Sequence, residues 1–395
     1  MSSLEFDPDE PLRNLVHACL DDLDELVDDF IAELSAIEPY ASGVVPRQEL
    51  REDAESSIEF LLRTTAGLPV PHRLDDACER IGRRRAHLGV PLDVLLRAVR
   101  LDFRVLWSAF LRRVDQADLP RLVHNTVRVW DVVEEYSTRV HMAYVNEAAV
   151  LAREREDERN RLVDSLLATH GRDAQIVAQV ANALGMNATG RILVAAAPTD
   201  APRPLRQAAD RLRAGSMPVH VQNVERRQVL IAELPRRSRG DTGQWLGSVA
   251  CGVGPVANGL ADLPRALRIS MEVAATISGD LGGPVRLVQR WPHVVAARLA
   301  EVGTALRDEV LPSPTATTAH ERDRLFETVH AYLRSGSIST VANEIFCHRN
   351  TVLNRLHRFT ELTGHDITRP EHAAAVLVAM ACDEQLVDRA TTAPA

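Results

Sequence analysis

The chain has 395 residues, a formal net charge of −9 at pH 7, 45% hydrophobic residues and only 4% aromatic ones. That length holds roughly two to four domains, each able to bury a core. The acidic balance excludes a protein that coats nucleic acid or membrane by bulk charge, so any contact with a polyanion must rest on a local basic face.

No lysine occurs, so every basic side chain other than histidine is arginine. Cys19, Cys78, Cys251, Cys347 and Cys382 lie far apart with no C-x-x-C pair, which suits a reducing cytoplasm and offers neither a metal site nor a disulfide framework. The opening MSSLEFDPDEP is acidic and lacks an apolar core, so no signal peptide is expected. No window approaches the ~18 uninterrupted apolar residues of a membrane span. The expected location is the cytoplasm, without membrane contact.

Residues 11–152 read as helix after helix. Leu12, Leu15, Val16, Cys19, Leu23, Leu26, Phe30 and Leu34 keep a helical period in one long helix whose outer face is crowded with Asp and Glu. Pro39, Gly43 and Pro46 break it, and Pro46 and Pro91 suit the first turns of the helices that follow. Leu92, Leu95, Leu96, Val99, Phe103, Leu106, Trp107 and Phe110 form the most apolar stripe. A further helix starts near Leu119 and runs through Val123, Trp130, Val133, Val140 and Val145. The simplest architecture is an all-α bundle. His17, His87, His124 and His141 lack a paired spacing such as H-x-x-x-H, so they read as surface or core histidines rather than ligands, and Trp107 and Trp130 read as core. The segment RRRAHLGVPLDVLLRAVRLDFRVLW, residues 83–107, resembles the N-terminal domain of RsbR-type stress regulators. The resemblance implies a sensing or dimerisation domain and names no ligand.

The charge run REREDERNR at 153–161 fits a solvated helix face. Because apolar positions continue into Leu162 and Leu166, 153–163 is expected to be a helical connector that pairs with its twin in a dimer. From 164 to 300 the period changes. Residues 191–197, 228–234, 248–254 and 285–288 read as short buried strands, with a helix at 263–277 carrying Leu263, Leu267, Met271 and Ala274 inward. Alternating strands and helices give a small α/β or α+β domain. It resembles the degenerate GGDEF-like domain of CdaR regulators, in which a GVG strand (here Gly252, Val253, Gly254) precedes a helix of the A-L-x-x-A kind. A working nucleotide cyclase of that fold needs a Gly-Gly-acidic-Glu turn and carboxylates to hold metal. The sequence offers only Ser278-Gly-Asp-Leu-Gly-Gly283, after the helix and with one acid. Neither G-x-G-x-x-G nor G-x-x-x-x-G-K-[ST] is present, so Gly252 and Gly254 read as strand or turn glycines. No catalytic residue, metal or cofactor is expected.

Residues 301–320 form a linker, ending in the Pro- and Thr-rich LPSPTATTAH. Residues 321–388 then read as short helices containing a helix-turn-helix. Leu325, Val329 and Leu333 give the first helix its stripe, and Ser335-Gly336-Ser337 ends it. Val341, Ala342 and Ile345 are the buried side of a short second helix, with Ala342 small where two helices cross closely. In the third, Val352, Leu356 and Phe359 follow i, i+4, i+7, and Asn350, Asn354, His357 and Arg358 point the opposite way. No carboxylate occurs from 349 to 360. Such a face suits a DNA major groove, since Arg reads guanine, Asn reads adenine, and Arg and Thr grip phosphates. His348, Arg349, Asn350 and Asn354 are therefore assigned to base reading, and Thr351, Arg355 and Arg358 mainly to the backbone. The same pattern also fits an ordinary amphipathic helix with a solvated basic face, and Phe346 stands where the helix-turn-helix turn usually has Gly.

Residues 342–366 are similar to the C-terminal helix-turn-helix of the PucR/CdaR family of bacterial transcriptional regulators. There HRNT opens the recognition helix (His348 to Thr351), an Arg-Leu pair follows (Arg355, Leu356), and LTG with an acidic residue closes the unit (Leu362, Thr363, Gly364, Asp366). Asn354 departs from the family, which often has an aromatic residue there. The resemblance implies a multidomain, mostly α regulator, a homodimer or higher homo-oligomer on double-stranded DNA. It further implies an activator in type, answering a small-molecule effector. A signalling or scaffold protein acting through its helical domain is the competing reading. A last helix, 373–386, packs on the unit, and the tail RATTAPA is expected to be disordered.

Overall fold

The apolar stripes of the first part of the chain fold, in a computed structural model, into α1 (Glu10–Asp21), α2 (Leu23–Leu34), α3 (Arg47–Thr65), α4 (Ala77–His87), α5 (Leu92–Arg113), α6 (Leu119–His124) and α7 (Thr126–Ala168). The structure describes residues 10–199, 204–235, 245–277, 282–299, 301–313 and 315–392, the side chains of 204 and 385–392 excepted. The chain divides into two compact units, Met1–Glu158 and Arg159–Ala395.

In the first unit the expected long helix is two. Asp22 leaves the helical region with φ −105° and ψ 29°, as suits a residue type that is poor in helix interiors. Leu26, Phe30, Ile58, Leu62, Leu95, Leu106, Phe110 and Tyr136 meet in one core. Pro46 and Pro91 stand one residue before α3 and α5. Gly82 lets α4 lie on α7: a Cβ there would sit 2.6 Å from the Val140 carbonyl oxygen. Trp107 stacks on Phe103 at 6.1 Å, whereas Trp130, expected in the core, meets Phe103 edge-on and remains 51% exposed.

The second unit begins with the last turns of α7, where Val163 and Leu166 join Val180 of α8 (Ala174–Leu184). Its centre is β1 (Arg191–Ala196), antiparallel to β3 (Arg227–Leu234), with β2 (Val219–Val224) beyond β3. On the other side β1 pairs with β4 (Cys251–Val253) and β5 (Ala257–Asn258), and β6 (Pro284–Arg286) runs parallel to β4. The order is β2-β3-β1-β4-β6. Ile192, Val194 and Ala196 face Leu263, Ala266 and Leu267 of α10 (Leu263–Ala275). Leu193 and Ala195 face Leu205, Ala208 and Leu212 of α9 (Pro204–Ala214). Burial on both faces is why β1 reads as an unbroken apolar run.

All four expected strands exist, with 287–288 instead opening α11 (Leu287–Leu299). The sequence reading missed β2, because its hairpin turns at Glu225 and Arg226 with φ 47° and 65°. That two-residue left-handed turn normally announces itself with Asn or Gly. The expected linker contains α12 (Glu301–Val310), which packs with α11 on α16 (Pro370–Thr392). There Arg307 Nε donates to Asp383 Oδ1 at 2.8 Å, and His293 Nε2 lies 2.9 Å from Glu384 Oε2. The tail is helical through Thr392, and 393–395 lie outside the described residues, as do 278–281 of the turn weighed against a cyclase. Among the described residues no helix is long and apolar enough to cross a membrane, and no group of three or more His, Cys, Asp or Glu gathers as for a metal.

Gly252 and Gly254 take their meaning from α10. A Cβ on Gly252 would run into the Ser270 carbonyl oxygen and the Ala274 backbone nitrogen, and one on Gly254 into the Ala266 carbonyl oxygen. These glycines let a helix lie against the strand, and Gly252→Ala is expected to cost about 1–3 kcal/mol as overpacking. The measurement is a urea unfolding midpoint with and without GTP. The midpoint falls in the variant, and GTP shifts neither protein.

Candidate nucleic-acid interface

The C-terminal unit is α13 (Ala319–Ser335), α14 (Ile338–Glu344) and α15 (Arg349–Thr363), with α16 behind them. Each junction is built from local chemistry. Thr318 Oγ1 accepts from the Glu321 amide and starts α13, and Gly336, at φ 64°, donates to the Tyr332 carbonyl at 2.7 Å and ends it. Ser337 Oγ accepts from the Thr340 amide at 3.3 Å and starts α14. Leu325, Val329, Val341, Ala342, Val352, Leu356 and Phe359 are buried. Arg334 pairs with Glu344 across the first two helices.

His348 is the N-cap of α15: its ring Nδ1 accepts from the Asn350 amide at 3.3 Å. Satisfying an orphan helix N–H is a task usually given to Ser, Thr, Asp or Asn, so the sequence reading did not assign it. The LTG-and-acid pattern also has a local cause. Gly364, at φ 72°, closes α15 by donating to the Thr360 carbonyl at 2.8 Å. Asp366 Oδ1 then accepts from the Thr368 amide at 3.0 Å and from its hydroxyl at 2.6 Å, which turns the chain into α16. Those hydrogen bonds hold the Asp366 carboxyl below its ordinary range.

Every residue singled out in sequence lies on α15 or at its cap. His348, Arg349 and Asn350 are exposed at its N-terminal turn. Thr351, Asn354, Arg355 and Arg358 instead line a groove of about 400 Å³ with Thr318, His320, Glu321, Arg324 and Leu325 of the α13 entry. Arg355 is half-buried, its Nη1 donating to Thr328 Oγ1 at 3.1 Å. Arg358 donates from Nε to Glu321 Oε1 at 3.3 Å and from Nη1 to Glu361 Oε2 at 3.4 Å. The stretch 349–360, free of carboxylates, therefore has two acids at the Arg358 end of its face, Glu361 from the last turn of α15 and Glu321 brought beside it by α13. His320 and Arg324, spaced i, i+4 on α13, are further nitrogen-bearing side chains at this groove that the sequence pattern of α15 does not announce.

Phe346 occupies the turn between α14 and α15 at φ 51° and is 96% exposed. A left-handed backbone costs an L-residue roughly 1–2 kcal/mol, and a ring 96% exposed gains little burial to offset it.

Compared with known families, residues 24–159 match the RsbT co-antagonist protein rsbRD N-terminal domain, 168–276 a GGDEF-like domain, and 325–382 the PucR C-terminal helix-turn-helix domain. Uncharacterized proteins of Mycobacterium bovis and of two strains of Mycobacterium tuberculosis are 32% identical to the chain over 130 residues. The match spans 32% of this chain and 30% of each relative. The crystal structure of a regulator of polyketide synthase expression from Bifidobacterium adolescentis is similar at 22% identity, covering 57% of this chain and 96% of its own, with a TM-score of 0.28.

Phe346→Gly is expected to stabilise the protein by about 1 kcal/mol, relief of the left-handed strain outweighing the added freedom of the unfolded chain. A rise in the urea midpoint checks it; a fall would mean that the ring is held by a contact.

Proposed function

From a chain that carries a PucR-type helix-turn-helix, a GGDEF-like domain and an RsbRD N-terminal domain, we propose a cytoplasmic, homodimeric DNA-binding transcriptional activator of the PucR/CdaR type. The observation that carries it is the open polar face of α15, where Arg349, Asn350 and Asn354 are exposed while Val352, Leu356 and Phe359 are buried. In this reading His348, Arg349, Asn350 and Asn354 meet base edges, the usual place of a recognition helix's first turns. His348 does so from the ring edge opposite its capping nitrogen. Thr351, Arg355 and Arg358 hold phosphates, Arg358 exchanging Glu321 and Glu361 for the duplex. The helical domain, 11–152, senses a small-molecule effector and dimerises, and the connector 153–163 carries its state onward. The GGDEF-like domain serves as a scaffold without catalysis.

Dimerisation follows from the size of the reading head, since one short helix contacts few base pairs and two-fold pairing doubles them. Val127, Trp130, Met142 and Val145 on α7 are exposed apolar side chains that suit such pairing. They also favour the second reading, a signalling protein that acts by protein contact alone.

Fluorescence anisotropy on DNA upstream of the protein's own gene, at several salt concentrations, separates the two. Asn350→Ala should cost about 1–3 kcal/mol on the specific site and relax its sequence preference. Arg358→Ala should weaken all sequences alike and reduce the salt slope by about 1. Binding that ignores sequence, and that Asn350→Ala leaves unchanged, would sink the regulator reading.

A further inference from the structure

The core of the N-terminal bundle holds a small cavity, about 30 Å³, with Asp53, Arg85 and Asp102 on its wall beside Tyr40 and Tyr136. Asp53 of α3, Arg85 of α4 and Asp102 of α5 are only 4%, 3% and 2% exposed. Arg85 Nη2 stands 2.9 Å from Asp53 Oδ2, and Arg84 Nη1 stands 3.3 Å from Asp53 Oδ1. Arg85 Nε and Nη1 and Asp102 Oδ1 have no hydrogen-bond partner among the described residues, and Asp53 Oδ2 meets Arg85 as an ion pair out of line for a hydrogen bond. Phe30, Leu50, Leu95, Ala98 and Val99 belong to the apolar part of the wall.

The ion pair leaves donors over. Burial alone raises the Asp102 carboxyl well above its ordinary range, which favours the protonated form, a donor. Burial likewise keeps the Tyr40 and Tyr136 phenols and the Cys78 thiol, pushed up to about 12, neutral. Glu59, the other buried acid of α3, has its own partners in Arg63 and Arg73. On the wall itself the Arg85 guanidinium faces the Asp53 carboxylate, and Arg84, outside the lining with a side chain 39% exposed, reaches Asp53 from the solvent side. Arg85 lies over the Tyr40 ring at 5.8 Å, and its Nε and Nη1 are the donors without a hydrogen-bond partner among the described residues, beside the unpartnered Oδ1 of Asp102.

We propose that this cavity is the effector site of the N-terminal unit, and that it takes a small monocarboxylate of the size of formate or acetate. Its oxygens bridge Arg85 and Asp102, accepting from the Arg85 Nε and Nη1 edge and from the protonated Asp102 carboxyl. The volume admits only a few heavy atoms, so longer acids are excluded by Leu50, Leu95 and Val99. The proposal rests on the reading of this unit as a sensor, but binding is measured without DNA, so failure of the regulator reading leaves it intact.

The test uses the full chain with sodium formate, acetate and butyrate against sodium chloride at matched ionic strength. Saturation transfer from protein to ligand protons and the shift in melting temperature are both read. Formate or acetate should bind saturably and raise the melting temperature, butyrate less, and chloride not at all. Arg85→Met should weaken binding by roughly ten- to a hundredfold, the loss of a charged hydrogen bond. Ala98→Leu, which fills the cavity and keeps every charge, should abolish it, and Asp102→Asn, which keeps a donor, should retain it. No saturable response in the wild type overturns the proposal, as does unchanged binding in Arg85→Met or Ala98→Leu. Should neither variant fold, the wild-type series decides alone: butyrate binding as well as acetate overturns it.

Discussion

One apolar stripe on α15 fixes most of what the C-terminal unit can do. Phe359 and Val352 are fully buried and Leu356 nearly so, against Val329 of α13 and Val341 and Ala342 of α14. Burying side chains of this size contributes about 1.5–3 kcal/mol each, far more than any single surface contact. With about 100° between successive residues, that burial also commits Asn350 and Asn354 to solvent. The polar face is thus held by its opposite side. Its edges are held as well, since fully buried Thr328 receives Arg355. A guanidinium already oriented by its own protein loses less freedom on meeting a phosphate.

The same economy of faces recurs in α16, which serves two cores within the second unit. Val376, Ala379 and Met380 join the core of the three-helix unit, while Val378, Ala381 and Cys382 pack with Ala296 of α11. Arg290 on α11 donates to the Thr276 carbonyl beyond the end of α10 at 2.6 Å and lies 3.2 Å from His293. His293 in turn meets Glu384 on α16 and lowers its carboxyl pKa. A chain of polar contacts thus runs from the helix beneath the GVG strand to the helix behind the reading face. Gly252 and Gly254, which admit α10 to the sheet, set where that chain begins.

The helix-turn-helix and the central strands were readable because their signals are local. The i, i+4, i+7 stripe of α15, the Gly336 and Gly364 stops and the doubly buried β1 each depend on neighbours a few residues away. What escaped depends on distant partners or on unusual residues in standard places. Histidine caps α15, and Glu225-Arg226 makes a left-handed turn that the sequence does not advertise. The helix α12 owes its burial to α16, and Glu321 reaches Arg358 from 37 residues away. No period along α15 encodes an acid contributed by α13, because the register of two packed helices is a tertiary property. Trp130 failed for a related reason: its stripe position is helical, but its helix leaves that side open.

The buried polar cluster of the first unit is the hardest feature to account for by folding alone. Replacing a buried ion pair with well-packed apolar side chains is often neutral or stabilising by about 1–4 kcal/mol. Each unmatched buried donor costs about 1–3 kcal/mol. The surrounding helices already share an extensive apolar core built on Leu26, Ile58, Leu62, Leu106 and Phe110. That apolar core does not account for Arg85 and Asp102, and their place inside it, with donors left over, argues for a purpose beyond packing. Three helices contribute to the cluster, Asp53 from α3, Arg85 from α4 and Asp102 from α5. A ligand pairing with them would change the forces between those helices directly, and that is the requirement a sensor has to meet.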